Sequence, residues 1–359
     1  MNFFLISFLF FAQIFAQHRR RQKHHYHNVE NTCTTKFVKY QSSPYEAEWT
    51  SDILNRHHAV CSFLAREPNE QTLLYQVTHE NHDRHFTNMT RENMFRVFSI
   101  FVYERFCTEA GDNTVYIEPI EPLVGYMRDH RDLCRNEMGN KNWAPDMPTT
   151  KTGFNDRRFL LLPSKSSFPR LFLTNKNQEY VPRVLVFNIG CGSFLANLNG
   201  TENLGDSQAW FLRQYPKKGF KIERVVLWES IEIKAVDFFS QIPSEYVSKY
   251  QFFNTPVSGN PADSMYPWTF LKEMAHEYDY IVVKLDVRDY ATEISLLKAV
   301  LSDPDLIDLI DEMFFEFHVR LPPVKEMEPE TVRTKATLVD AYDMYLKLRQ
   351  VGLRMHGWP

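Results

Sequence analysis

The segment Arg183–Phe194, RVLVFNIGCGSF, constrains the fold of this chain more than any other stretch. A short run of apolar, strand-forming residues passes directly into the turn sequence NIGCG, which contains Gly190 and Gly192. This pattern is typical of a buried parallel strand that ends in a glycine turn. In open α/β sheets, ligands bind outside the carboxyl ends of such strands. Glycine has no Cβ, so at Gly190 and Gly192 the backbone can approach a ligand closely.

The chain after this segment alternates between strand and helix patterns. Further strands are predicted at Arg224–Glu229, Gln251–Asn254, Tyr280–Asp286, Glu312–Phe317 and Leu353–His356. Helices are predicted between them, at Asp206–Tyr215, Thr292–Leu301 and Leu338–Gln350. Strands that alternate with helices imply a parallel sheet covered on both faces. The expected fold class is therefore α/β, with a doubly wound sheet over residues 183–359.

The first half of the chain divides into four stretches. The apolar residues 1–16 are too few to span a bilayer, which takes roughly 20 residues, and they predict a cleaved secretory signal peptide. An uncleaved membrane anchor is the alternative. A basic, His-rich tail follows over 17–32, then a mixed α/β, cysteine-bearing region over 33–150 and a linker over 151–182. Within the cysteine-bearing region, Glu92–Phe106 is predicted to be a packed helix and Thr114–Ile117 a strand.

The cysteines and the glycosylation tripeptides fit a secreted protein. Asn88 and Asn199 each begin an Asn-x-Thr acceptor for N-glycosylation. Four cysteines in an oxidising compartment imply two disulfides with three possible pairings, whereas in a reducing compartment all five would be core thiols. Four lie in the first half and the fifth in the glycine turn: Cys33, Cys61, Cys107, Cys134 and Cys191. We expect a secreted or lumenal glycoprotein with no membrane span after signal cleavage.

Charge excludes one class of partner. The formal net charge is -4, whereas phosphate binding needs a concentrated basic surface. Nucleic acid is therefore not expected to be the main partner. A small molecule or a glycan fits this balance better.

The glycine turn and one acidic residue indicate the cofactor class. A nucleotide-type cofactor needs an acid at the end of the next strand to accept hydrogen bonds from ribose, and Glu229 ends the strand RVVLWE. A Walker A loop is excluded because no Gly-Lys-Ser/Thr follows the turn. A dinucleotide-binding fingerprint needs a third glycine, which is absent near Leu195. The acidic residue of that fingerprint also comes about 20 residues after the turn, whereas Glu229 comes much later. An S-adenosylmethionine site fits best, and a tight turn without a ligand is the alternative.

Five motifs in this half resemble those of class I S-adenosylmethionine-dependent methyltransferases, and within them the FkbM-like group. They occur in the family's order: VLVFNIGCGS at 184–193, VVLWES at 225–230, NTPVS at 254–258, VKLDV at 283–287 and EMFFEFH at 312–318. The last residues, DMYLKLRQVGLRMHGWP, are similar to the ending of a plant branch of methyltransferase-like proteins. The resemblance covers about half of the chain and implies a Rossmann-like sheet.

The resemblance also implies roles for particular residues. S-adenosyl-L-methionine is the expected cofactor, bound by Asn188, Gly190, Gly192, Glu229 and Val257. The expected reaction is O-methylation of a hydroxyl acceptor such as a glycan.

Three further residues are predicted to be catalytic. Asp286, Glu316 and His318 follow neighbouring strands, so they are expected to share one cleft. His318 is the natural general base, because an unperturbed imidazole has a pKa of about 6.5. Asp286 would orient the acceptor or bind the cofactor's amine. Each role has an alternative. His318 could be a hydrogen-bonded histidine at the sheet edge, and Asp286 could form a structural ion pair with Lys284. Asp286, Glu316 and His318 could together hold a divalent metal, but no metal is predicted.

Four departures from the family pattern favour a second hypothesis. The third small residue of the glycine turn is replaced near Phe194. Asn188 stands where the family has an acid, and Arg288-Asp289 stands where it has Glu-Gly. The chain also has a single predicted C-terminal strand, so the family's usual antiparallel pair is incomplete. A non-catalytic secreted binding or structural protein with the same fold is therefore the alternative. A nicotinamide oxidoreductase is a third hypothesis, disfavoured by the missing third glycine.

Overall fold

The computed structural model of the chain describes residues 33–52, 90–107, 113–124, 157–163, 183–190, 207–276, 279–287, 289–317 and 336–358. These ranges contain a six-stranded parallel sheet and a separate three-stranded antiparallel sheet. The predicted α/β class is therefore confirmed.

The strands and helices are numbered here in chain order. The strands are β1 Cys33–Gln41, β2 Ser99–Cys107, β3 Asn113–Ile120, β4 Arg183–Ile189, β5 Lys221–Trp228, β6 Tyr250–Phe253, β7 Tyr280–Leu285, β8 Glu312–Phe315 and β9 Arg354–Gly357. The helices are α1 Pro44–Thr50, α2 Arg91–Val97, α3 Ser207–Lys217, α4 Ala235–Phe239, α5 Ser244–Val247, α6 Pro267–Met274, α7 Tyr290–Ser302, α8 Pro304–Leu309 and α9 Leu338–Gln350. A short 3₁₀ turn covers Arg157–Phe159.

The parallel sheet has the strand order β6-β5-β4-β7-β8-β9. Every neighbouring pair in it is parallel. The chain enters this sheet in the middle, at β4, and continues outward through β5 to β6. It then crosses to the other side of β4 at β7 and continues outward through β8 to β9. The strand order thus reverses between β4 and β7, and such reversal points are where open α/β sheets bind ligands.

Alternating side chains of the central strands divide the core into two layers. Leu185 and Phe187 of β4 face one layer, into which α6, α7, α8 and α9 also pack. Val184 and Val186 face the other layer, which α3 and α4 cover. Successive strand residues point to opposite faces, so a nearly continuous apolar strand is expected only where both faces are covered. The sheet is therefore doubly wound.

The antiparallel sheet has the order β1-β2-β3 and corrects one prediction. Glu92–Phe106 was expected to be one helix, but the helix ends at Val97 and a strand begins at Ser99. In that strand Phe101 and Tyr103 are buried whereas Glu104 is exposed. This two-residue alternation, together with pairing to strands on both sides, overrides the helical spacing of the apolar residues. The strand predicted at Thr114–Ile117 is confirmed within β3.

The first helix, α1, belongs to the core of the parallel sheet. Tyr45 and Trp49 of α1 are buried in the same apolar layer as Leu185 and Phe187. Leu160 and Leu162, which fall within the predicted linker, are buried in the opposite layer. The residues before β4 are thus packed against the sheet at several points.

Charged side chains also join the two sheets. Arg349 of α9 donates to the main-chain carbonyl of Glu121 at 2.9 Å and lies 3.4 Å from a carboxylate oxygen of Glu46. His356 of β9 lies 2.7 Å from both Glu121 and Glu312. We call this set the buried ionic network, and its members are Glu46, Glu118, Glu121, Glu312, Arg349, Arg354 and His356.

Several predictions fall on residues outside the described ranges. They are the signal peptide, the basic tail, the glycosylation acceptors Asn88 and Asn199, and Cys61, Cys134 and Cys191. Within the described ranges, no helix combines the length and the apolar character needed to cross a membrane.

Candidate functional site

The carboxyl ends of the six parallel strands form one edge of the sheet. Main-chain hydrogen bonds continue one step past the strands. Gly190 donates to Trp228 at 3.0 Å, Glu229 to Phe253 at 3.1 Å and Asp286 to Ile189 at 2.9 Å. Glu316 donates to Leu285 at 3.1 Å and Trp358 to Phe315 at 2.9 Å. The first residues past the strands therefore lie side by side. We call them the carboxyl-edge row, and in spatial order they are Asn254, Glu229, Gly190, Asp286, Glu316 and Trp358.

Gly190 is at the centre of the row and must be a glycine. Its φ is +81°, which is a left-handed conformation that other residues adopt at a cost. A Cβ at this position would lie 1.7 Å from the carbonyl oxygen of Asp286. The missing side chain therefore serves the close packing of the ends of β4 and β7. A contact between Gly190 and a cofactor remains a prediction.

Glu229 is next to Gly190 in the row, at the end of β5. Its side chain is largely buried, with 5% of the residue exposed. Carboxylate Oε1 accepts a hydrogen bond from the main-chain N–H of Ile231 at 2.8 Å. The turn that follows β5 thus fixes the carboxylate at the carboxyl edge, which is where the sequence predicted an acid.

Asn254 holds the turn after Glu229, although it was not among the predicted site residues. Its Nδ2 donates to the carbonyls of Glu229 at 2.9 Å and Ile231 at 2.6 Å. Its Oδ1 accepts from the N–H of Ile233 at 2.8 Å. The signal was available, because Asn254 is a polar residue directly after an apolar strand, as Glu229 is.

On the other side of Gly190, Lys284 ties the ends of two strands together. Its ammonium donates to the carbonyl oxygen of Gly190 at 2.8 Å and forms an ion pair with Asp286 at 2.5 Å. The lysine side chain is 3% exposed and that of Asp286 is 20% exposed. The ion pair considered from the sequence is therefore present, and it occupies the boundary between β4 and β7. A lysine inside the apolar strand YIVVKL was the signal for it.

The remaining predicted site residues differ in position. Asn188 is fully buried within β4, in register with Lys284. Glu316 belongs to the row and is partly exposed. Val257 is partly buried and packs against the layer that contains Phe187. Gly192 and His318 lie outside the described residues. The described residues thus bring Glu229, Asp286 and Glu316 to one edge.

No family model matches the chain, and comparison with curated proteins and with solved structures gives no match either. The chemistry of the site therefore has to be inferred from the carboxyl-edge row itself.

The row offers carboxylate acceptors beside a main-chain turn. Charge-assisted hydrogen bonds to a carboxylate are stronger than neutral ones, so Glu229 suits a ligand that presents hydroxyl or amine donors. In the part of the chain that the structure describes, no group of three or more His, Cys, Asp or Glu side chains is arranged to hold a metal ion.

The buried ionic network is separate from the row. Glu312 begins β8, whereas Glu316 follows the end of that strand. Burial raises the pKa of Glu118 to about 7, and the attraction of Arg354 offsets part of this effect. Burial disfavours a charged imidazole, but Glu121 and Glu312 raise the pKa of His356. Burial acts against ionisation of Glu121 as well, yet His356 and Arg349 lower its pKa. The network is thus a charged core in which Glu118 binds its proton unusually tightly.

Proposed function

We propose that this chain binds S-adenosyl-L-methionine at the carboxyl-edge row and transfers a methyl group to a hydroxyl acceptor. The observation that supports the proposal is the adjacency of Glu229 and Gly190, one strand away from the β4–β7 boundary where the strand order reverses. Gly190 donates to Trp228, the residue directly before Glu229, at 3.0 Å. A carboxylate beside a glycine turn at this point of a doubly wound sheet suits a ribose-containing ligand. The FkbM-like resemblance of the motifs favours the adenosyl cofactor within that class.

The residues of the row fit the adenosyl part of the cofactor. Glu229 is expected to accept hydrogen bonds from the two ribose hydroxyls, because a carboxylate is an acceptor only. Its bond to the N–H of Ile231 holds it in place before the ligand arrives. Asn254 holds the same turn through three hydrogen bonds. This preorganisation lowers the entropic cost of binding.

The chemistry assigned to the protein is modest. The cofactor, when bound, supplies an electrophilic methyl group. The protein has to hold the acceptor hydroxyl in line with that group and accept its proton. His318 stays the predicted base. Asp286 is paired with Lys284, so we assign it the orientation of the acceptor rather than proton transfer. Glu316, next to Asp286 in the row, is assigned to the same acceptor side.

The acceptor we propose is a glycan or another hydroxyl compound of the secretory pathway. The predicted signal peptide and the two glycosylation tripeptides support that compartment. The choice of a glycan depends on the family resemblance and the compartment, because a fold does not specify a substrate.

Calorimetric titration with S-adenosylhomocysteine tests the cofactor. We expect binding to the wild type and a loss of about tenfold to a hundredfold in affinity for Glu229→Gln, since hydrogen bonds to charged groups contribute about 1.5–3 kcal/mol. Glu232→Gln is the matched control, because Glu232 is exposed on the same turn. Absence of binding at millimolar ligand, or equal affinity in Glu229→Gln, contradicts the proposal. Binding of NAD in place of S-adenosylhomocysteine would favour an oxidoreductase.

A second candidate is a secreted binding protein without catalysis. Two observations favour it. Asn188, at the position of the family's acid, has no exposed surface, and Lys284 ties Asp286 to Gly190 at the centre of the row. Mass spectrometry of the secreted protein separates the two functions. Full glycan occupancy of Asn199 together with no cofactor binding favours the binding protein.

A further inference from the structure

β1 and β2 bring two of the five cysteines opposite each other. Cys33 is the first residue of β1 and Cys107 is the last residue of β2. The two strands are antiparallel, and their register makes Cys33 and Cys107 direct Cα partners. The register is continuous from this pair through Phe37 and Tyr103, and the irregularity comes only after Phe37. The pairing is therefore set by five consecutive partners rather than by one contact.

Backbone geometry at such a pair is suited to a covalent bridge. Directly opposite residues of an antiparallel pair have Cα atoms about 4.5 or 5.5 Å apart, depending on the hydrogen-bonding pattern. Disulfides join Cα atoms that are usually about 4.4–6.8 Å apart, so both kinds of pair fall within that range. Directly opposite residues of an antiparallel pair also belong to the same face of the sheet.

We propose that Cys33 and Cys107 form a disulfide bond that joins β1 to β2. Of the three pairings that four N-terminal cysteines allow, one contains this bond. The inference is independent of the proposed methyltransferase activity, because it depends on the strand register alone. It requires only an oxidising compartment, to which the predicted signal peptide would direct the chain.

The bond forms by thiol–disulfide exchange. A thiolate of the pair attacks a disulfide of an oxidising thiol reagent or oxidoreductase, and the second cysteine then displaces that partner. One S–S bond forms in the protein and one breaks in the oxidant. The two cysteines lose two electrons and two protons, and the oxidant is released as two thiols.

The bridge closes a loop of roughly 75 residues, which is a large loop for one disulfide. In the unfolded chain it removes much of the freedom of that loop, and so it favours the folded state. Since it joins the terminal residues of the β1–β2 ladder, it also prevents fraying at the point where β1 begins.

Peptide mapping tests the proposal directly. The purified full-length chain is equilibrated in a glutathione redox buffer, its free thiols are blocked with N-ethylmaleimide, and it is digested with trypsin without reduction. The sequence separates the four N-terminal cysteines into peptides 24–36, 57–66, 106–128 and 132–135. We expect peptide 24–36 linked to peptide 106–128. Linkage of 24–36 to either other peptide, or maleimide on both Cys33 and Cys107, overturns the proposal.

A set of variants provides a second readout. Cys33→Ser, Cys107→Ser and the double variant should each lower the midpoint of thermal unfolding by about 5 °C. The double variant should fall no further than either single variant, since one bond is lost in all three. Additive losses would indicate two independent thiols and would refute the bridge.

Discussion

Replacing Glu118 with glutamine is expected to stabilise this protein at alkaline pH and to leave it nearly unchanged at acidic pH. Glu118 is in β3, with 2% of its surface exposed. Neither of its carboxylate oxygens has a hydrogen-bond partner among the described residues. Arg354 is 3.3 Å away, and Glu312, Asp311 and His356 are close enough to act on its charge. Glutamine keeps the shape of a protonated glutamate but cannot ionise.

The size of the effect follows from the pKa. Burial raises the pKa of Glu118 to about 7 from an ordinary value of 4.5. Each pKa unit corresponds to about 1.4 kcal/mol, so ionising Glu118 in the folded state costs about 3 kcal/mol more than in the unfolded chain. Because the pKa is raised, the folded state binds the proton more tightly. The stabilising contribution is complete below pH 4.5 and is lost as the pH rises through 7.

Urea unfolding followed by circular dichroism, from pH 5 to pH 9, measures the effect. Near pH 5 the wild type and Glu118→Gln should have free energies of unfolding within about 1 kcal/mol of each other. Above pH 8 the variant should be more stable by up to about 3 kcal/mol. The raised pKa of His356 adds a further loss of stability above its ordinary pKa of 6.5 in both proteins. The attraction between His356 and an ionised Glu118 is already included in the pKa of Glu118.

Glu245→Gln is the matched control, because Glu245 is an exposed glutamate in α5. Its difference from the wild type should not change between pH 5 and pH 9. A pH-independent difference for Glu118→Gln, or a variant less stable than the wild type above pH 8, would show that Glu118 is ionised at neutral pH. The assignment of a tightly bound proton to the network would then be wrong.

Three other predictions address the site and the organisation of the chain. Gly190→Ala should destabilise the protein by more than about 3 kcal/mol in urea unfolding, because its Cβ meets the carbonyl oxygen of Asp286. Gly219 also has a positive φ, and Gly219→Ala should lose about 1 kcal/mol from that conformation. Equal losses in the two variants would contradict this reasoning. Asn254→Asp removes the two hydrogen bonds that Nδ2 donates to the turn after Glu229. We therefore expect about tenfold weaker binding of S-adenosylhomocysteine by calorimetry. Unchanged affinity would contradict the claim that Asn254 holds this turn ready for the ligand. A fragment of residues 157–359 should show no cooperative unfolding transition by circular dichroism, and a sharp transition would refute the need for the N-terminal residues.

The sequence indicated much of the parallel sheet because its strands are local and strongly apolar. β4, β5 and β7 were expected close to their observed positions, since continuous apolar runs end in polar residues. The same property indicated the edge where Glu229 and Asp286 lie, because parallel strands bring their carboxyl ends together. The roles of Gly192 and His318 stay predictions, as those residues lie outside the described ranges.

The parts that the sequence did not indicate depend on contacts between distant residues. The apolar residues between Ser99 and Phe106 satisfy a helical spacing as well as a strand alternation, and only pairing with β1 and β3 decides between them. Glu46, Glu121 and Arg349 look like surface charges in the sequence, yet Arg349 lies 3.4 Å from both carboxylates. No local pattern announces such a contact, because its partners come from opposite ends of the chain.

The buried ionic network explains why the residues before β4 belong with the parallel sheet. Arg349 is 0% exposed and Arg354 is 2% exposed. Arg349 lies beside Glu46 of α1 and Glu121, the residue after β3. Arg354 lies beside Glu118 of β3. A buried cation without its partner costs about 3–5 kcal/mol, which is a large share of the stability of a typical domain. Residues 183–359 alone would keep only Glu312 of the four glutamates. The charges in α9 and β9 therefore tie formation of the sheet, and with it the carboxyl-edge row, to the N-terminal region.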